Sequence, residues 1–161
     1  MNIRDLGTTL STLFSELVDG ASRPESYVLN SGDPGLLRSL DKLSATAASA
    51  ITPTGSSIAA HVDHLRYGLS LMNRWSAGEK PFDDADWSTS WRHTRVTAAQ
   101  WKQLREDLAT EAHRWLDALD KPRELNQSEL NGVAASIVHL GYHVGAIRQI
   151  DLTARGPAAN A

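Results

Sequence analysis

Large apolar residues recur in this chain at alternating steps of three and four over long stretches, and that spacing commits most of it to amphipathic helix. From Ile3 to about Asp19 the stripe is Leu6, Leu10, Leu13 and Leu17. From a cap at Ser56 or Ser57 to about Ala77 it is Ile58, Val62, Leu65, Leu69 and Met72, with Gly78 as the stop. Thr97 followed by Gln100 has the form of a capping box, opening a helix marked by Trp101, Leu104, Leu108, Ala112, Trp115 and Leu119 that ends before Pro122. The last helix is expected from about Ser128 to about Ala154, with Val133, Ile137, Leu140, Val144 and Ile147 inward. No stretch alternates apolar and polar as a hairpin would, and no fixed repeat is present. The pattern predicts an all-α fold, four long helices as a four-helix bundle around one core.

The connections read as follows. Gly20 to Gly35 carries Pro24, Asn30, Gly32, Asp33 and Pro34, turn-forming residues that imply a long connection. A short extra helix is expected from about Leu36 to Ser49, with Leu36, Leu40, Leu43 and Ala47 inward, ended by Pro53 and Gly55. Between Glu79 and Val96 the chain is Trp-rich and aperiodic, which suggests a loop packed over the bundle, since free linkers are seldom so aromatic. The length of 161 residues suits one domain, over 1–155, with the small residues 156–161 as a disordered tail.

Charge and composition narrow the function. A net charge of -3 offers no electrostatic footprint for nucleic acid. Zero cysteines exclude disulfides and thiolate ligands, so a metal would have to be held by imidazole or carboxylate. With no apolar run long enough to span a bilayer and no leader pattern, no membrane is expected and the cytoplasm is the default location. There is neither a Gly-x-Ser-x-Gly elbow nor a phosphate-cradling glycine loop.

Four of the six histidines fall into two clusters, His61 with His64 and His139 with His143. Residues three or four apart share a helix face, so two imidazoles can converge on one ion. On both helices the histidines sit one residue before the apolar stripe: His64 before Leu65, His139 before Leu140, His143 before Val144. Two helices facing one core can turn these lanes toward each other, with Gly68 and Ala146 leaving room for a ligand. Three neutral imidazoles suit a divalent metal such as zinc, nickel or ferrous iron and leave a coordination position open. His61 stands either as a fourth ligand or as a group on the approach to the metal. The weaker signals are Trp75, Trp87 and Trp91 as a stacking platform, Asp63 and Tyr67 as proton-transfer groups, and the loop acids Asp83, Asp84 and Asp86.

Two segments carry a resemblance. Ser57-Ile58-Ala59-Ala60-His61-Val62-Asp63-His64-Leu65 and His139-Leu140-Gly141-Tyr142-His143-Val144-Gly145-Ala146-Ile147 resemble the ligand-bearing helices of the DinB/YfiT-like superfamily, bacterial four-helix bundles with a three-histidine metal site. The resemblance selects His64 over His61 and implies the ligand set His64, His139 and His143. The Arg-Gly-Gln-Ile that commonly follows the last ligand is here Val144-Gly145-Ala146-Ile147, without its Arg and Gln. The resemblance implies a metalloenzyme with zinc or nickel as the favoured ions. It would transfer a low-molecular-weight thiol to a small-molecule substrate or, somewhat less favoured, act as a hydrolase. The alternative is a non-catalytic helical module with a structural or vestigial metal. A homodimer is expected in either case.

Overall fold

A computed structural model describes residues 3–21, 25–53 and 55–158, so Pro24 and positions 159–161 of the expected tail lie outside the described residues. Six α-helices follow one another, α1 (Ile3–Asp19), α2 (Gly35–Leu40), α3 (Ala45–Ala48), α4 (Ile58–Ser76), α5 (Ala98–Leu119) and α6 (Gln127–Ile150), and no strand occurs among the described residues. Two 3₁₀ turns, Thr89–Trp91 and Leu152–Ala154, complete the described secondary structure.

The helix starts follow from capping. Ser57 accepts the Ala60 N–H and opens α4, while Thr97 with Gln100 forms the expected reciprocal box at α5. A second box, Asn126 with Glu129, starts α6 one residue ahead of the expected Ser128. At the far end α6 stops at Ile150 rather than Ala154, because Asp151 turns extended and its side chain caps the final 3₁₀ turn. Gly78, at φ 94°, follows α4.

The single short helix expected over Leu36 to Ser49 is instead two pieces. Between them the Leu43 carbonyl accepts the Trp101 indole N–H at 2.8 Å, and the Ser44 hydroxyl caps a new helix by accepting the Ala47 N–H at 3.1 Å. Leu36, Leu40 and Leu43 are buried as expected, but at the end of the segment it is Ala48, not Ala47, that is fully buried.

The four long helices touch in a closed ring: α4 lies against α5 and α6, and α1 lies against the same two. The core they enclose is built from Phe14, Leu17 and Val18 of α1, Val62, Leu65 and Leu69 of α4, Leu108, Ala112 and Trp115 of α5, and the whole α6 stripe from Val133 to Ile147. On α1 the buried centre lies at Phe14 and Val18 beside Leu17, with Leu10 and Leu13 only half-buried. α4 is enclosed most fully, for every residue from Ile58 to Leu65 is buried.

The long connection after α1 is pinned at several points. The Glu16 carboxylate accepts the backbone N–H groups of Tyr27, Val28 and Leu29, and buried Asp33 takes a two-pronged grip from Arg148 of α6 at 2.7 and 2.9 Å. Gly20 (φ 98°) and Gly35 (φ 74°) meet back to back where the chain re-enters, so a Cβ on either would overlap the backbone around the other. Gly156 approaches the Asp33 carboxylate as closely, and the Pro157 carbonyl accepts from Asn30 at 2.8 Å. Replacing Leu140, which is 1% exposed in the middle of α6, with Ala is expected to cost about 2–5 kcal/mol of stability, measured by urea unfolding.

Candidate metal centre

The contact between α4 and α6 turns the two histidine lanes toward each other. His64 Nε2 lies 3.1 Å from His139 Nε2, which lies 3.0 Å from His143 Nε2. Ligand atoms of His64, His139 and His143 all fall within 4.8 Å of one another, so this group can hold a metal ion. The trio sits at the margin of the core: His143 is 1% exposed and His64 8%, while His139 is half-buried.

For His143 and His64 the ring nitrogen facing away from this meeting point is also engaged. His143 Nδ1 is 2.8 Å from His61 Nδ1, so His61 stands behind His143 and outside the group of three. His64 Nδ1 is 2.9 Å from the Ser90 hydroxyl, which itself donates to the Trp87 carbonyl at 2.8 Å. A ligating imidazole is normally oriented by such a bond from its other nitrogen.

Ser90 belongs to a strap, residues 86–93, that crosses α4. Asp86 N–H donates to the Tyr67 phenol oxygen at 3.1 Å, and His93 Nδ1 pairs with the buried Asp63 carboxylate at 2.6 Å. Asp63, also bound by Arg66, and Tyr67 thus anchor the strap in the structure. Trp91 stacks on His64 with ring centroids 4.5 Å apart and meets His61 edge-on. Trp87 tilts against His64 and lies over Gly68, where an added Cβ would come within 3.3 Å of its ring. The room that Gly68 was expected to leave for a ligand is therefore filled by Trp87.

Trp87 and Trp91 are brought together at the histidines, whereas Trp75 packs against Trp115 beneath Arg123. Asp83, Asp84 and Asp86 are exposed. Of the two histidines outside the clusters, His93 serves the strap and His113 pairs with Asp19. Ser90 is the site residue that sequence reasoning missed. It lies in an aperiodic loop, where no helical spacing could tie it to His64. A cleft of about 870 Å³ between α1, the end of α5 and the start of α6 contains none of the histidines.

The pKa values of all four clustered histidines are lowered, and the first cause is burial, which penalises the charged form. For His64 and His143 mutual repulsion within the cluster adds to burial and takes them from 6.5 to about 4 and about 3. Neutral imidazoles with free lone pairs are the form that ligates.

The same shifts set a pH dependence. Because the folded state binds fewer protons than the unfolded chain, stability is full above pH 6.5 and falls as the pH drops from there toward about 3. In chelator-treated protein the melting temperature is expected to fall steadily between pH 7 and 4, and His143→Gln should flatten that slope. An equal slope in the two proteins would show that His143 does not contribute. In comparisons with family models, with curated proteins and with solved structures, nothing matches the chain.

Proposed function

We propose that this chain is a divalent-metal protein of the DinB/YfiT-like four-helix-bundle kind, in which zinc or nickel on His64, His139 and His143 serves a thiol-dependent transfer reaction. The observation that carries the reading is the convergence of three Nε2 atoms at about hydrogen-bond distance. In the tautomers with Nε2 unprotonated the three lone pairs face one another, and burial opposes relieving this by protonation. One divalent cation would satisfy all three, and an all-imidazole donor set suits zinc or nickel. The closed ring of four long helices and the two histidine segments support the bundle type.

Three protein ligands leave a position for an exchangeable one, as catalytic sites do. When bound, a divalent ion supplies positive charge that lowers the pKa of a thiol or water beside it. The chain's own residues set the surroundings. Trp87, Trp91 and Tyr142 flank the imidazoles and remain partly exposed, which favours a soft sulfur donor through sulfur–aromatic contact over a strongly hydrated one. Val144, at the position where the resembling proteins carry Arg, is a core residue, and Ala146, at the Gln position, has only a methyl group, so neither adds a polar wall.

Cobalt provides the test. The protein is expected to take up about one ion per chain, consistent with a single three-His site. His143→Ala should abolish uptake and His93→Ala should keep it. Adding a small thiol should produce a sulfur-to-cobalt charge-transfer band in the near ultraviolet, absent in His64→Ala. Stoichiometric cobalt with a spectrum that no thiol alters would sink the transferase reading, and a response to pH alone would favour the hydrolase.

A second reading has one observation in its favour. The outward face of α6 exposes Val138 (73%) and Tyr142 (67%), and no charged residue lies between Glu129 and Arg148. Such a face suits two-fold pairing of a non-catalytic module. On that reading sedimentation should show a dimer that Val138→Glu splits, with no thiol response at the cobalt.

A further inference from the structure

His64 differs from its two partners in being tied to the strap through Ser90, and the directions of the hydrogen bonds decide which of its nitrogens carries the proton. Ser90 has one hydroxyl proton, and the Trp87 carbonyl at 2.8 Å accepts it. With that proton given to the carbonyl, the hydroxyl acts as acceptor toward His64 Nδ1 at 2.9 Å, the one arrangement that satisfies the carbonyl, the hydroxyl and Nδ1 together. It places the imidazole proton on Nδ1 and the free lone pair on Nε2, the atom that faces His139. Ser90 is 2% exposed and water does not readily take its place, so an unpartnered Nδ1–H would be left buried without it.

We propose that Ser90 is a positioning residue of the three-histidine centre, holding His64 in the tautomer and ring orientation that ligation needs; this rests on the metal reading above. The fold fixes Ser90 from both sides. It sits in the Thr89–Trp91 turn, between the Asp86–Tyr67 pin and the His93–Asp63 pin, and the strap's three contact points on α4, residues 63, 64 and 67, lie within about one helical turn. Trp91, the next residue, stacks on the His64 ring with 28° between the planes and limits its rotation. One short strap thus sets both the proton and the plane of a single donor. In the other tautomer the Nε2–H would point at His139 and could not bind an ion.

The test uses zinc as the probe, with affinity read by competition against a chromophoric chelator and the His64 tautomer read by ring-nitrogen NMR of metal-free protein. Ser90→Ala is expected to weaken zinc binding by on the order of 10–100-fold, and Ser90→Thr, which keeps the hydroxyl, should restore most of it. His93→Ala removes a strap pin without touching Ser90 and should stay within about threefold of wild type, well short of the loss at Ser90. Wild-type His64 should show the Nδ1–H form, and Ser90→Ala a mixture. An Nε2–H form in the wild type overturns the proposal even if Ser90→Ala does not fold. Wild-type affinity in Ser90→Ala, or a loss in His93→Ala as large as that in Ser90→Ala, overturns it while leaving the metal centre intact. Wild-type protein that takes up no zinc overturns the metal reading and this proposal together.

Discussion

Everything about the site depends on how completely α4 is enclosed. A helix on the surface of a bundle buries one stripe and leaves the neighbouring lane wet. In α4 every residue from Ile58 to Leu65 is buried, because α5 and α6 close over two sides and the strap over a third. A lane one position off the apolar stripe thereby becomes interior, and His61, Asp63 and His64 are taken out of water. Neutral imidazoles tolerate this with one or two hydrogen bonds each, whereas a charge there would need a partner.

The buried acids show the contrast. Among the described residues the buried carboxylates are Glu16, Asp33 and Asp63, and each has its own donors: backbone N–H groups for Glu16, Arg148 for Asp33, Arg66 and His93 for Asp63. All three are spent on fastening loops to helices, and no carboxylate belongs to the group of three imidazoles. The group of three is therefore uncharged when its imidazoles are neutral, and an ion held there would meet no carboxylate among its three ligands.

How much of this was legible follows from what periodicity can encode. The long helices and the inward faces of α4, α5 and α6 were readable because Leu65, Leu108 or Ile137 each recur on a stripe, and the angular lane of His64, His139 and His143 could be measured against that stripe. The break in the short helix was not readable. It follows from the Trp101 indole capturing the Leu43 carbonyl across 58 residues, a contact that no local pattern foretells. The role of the Trp-rich loop was visible only as a tendency to pack. Its anchoring through Asp86, Ser90 and His93 depends on single polar atoms meeting α4, and spacing carries no trace of such meetings. Gly68 shows how a correct observation can be misapplied, since the small residue does make room, and Trp87 takes it.

The sequence separations within the site have a consequence for how it comes into being. His139 and His143 are four residues apart and share a face as soon as α6 is wound, but His64 lies 75 residues from His139, and His61 lies 82 from His143. Pairings of that range form only after the intervening chain has closed, which is the slow part of assembling a domain. In chain order α4 and the strap come first, and the two α6 histidines that complete the group come last. The donor set is completed by the docking of α6, the last of the long helices, so a chain that ends before His139 has no three-histidine centre at all.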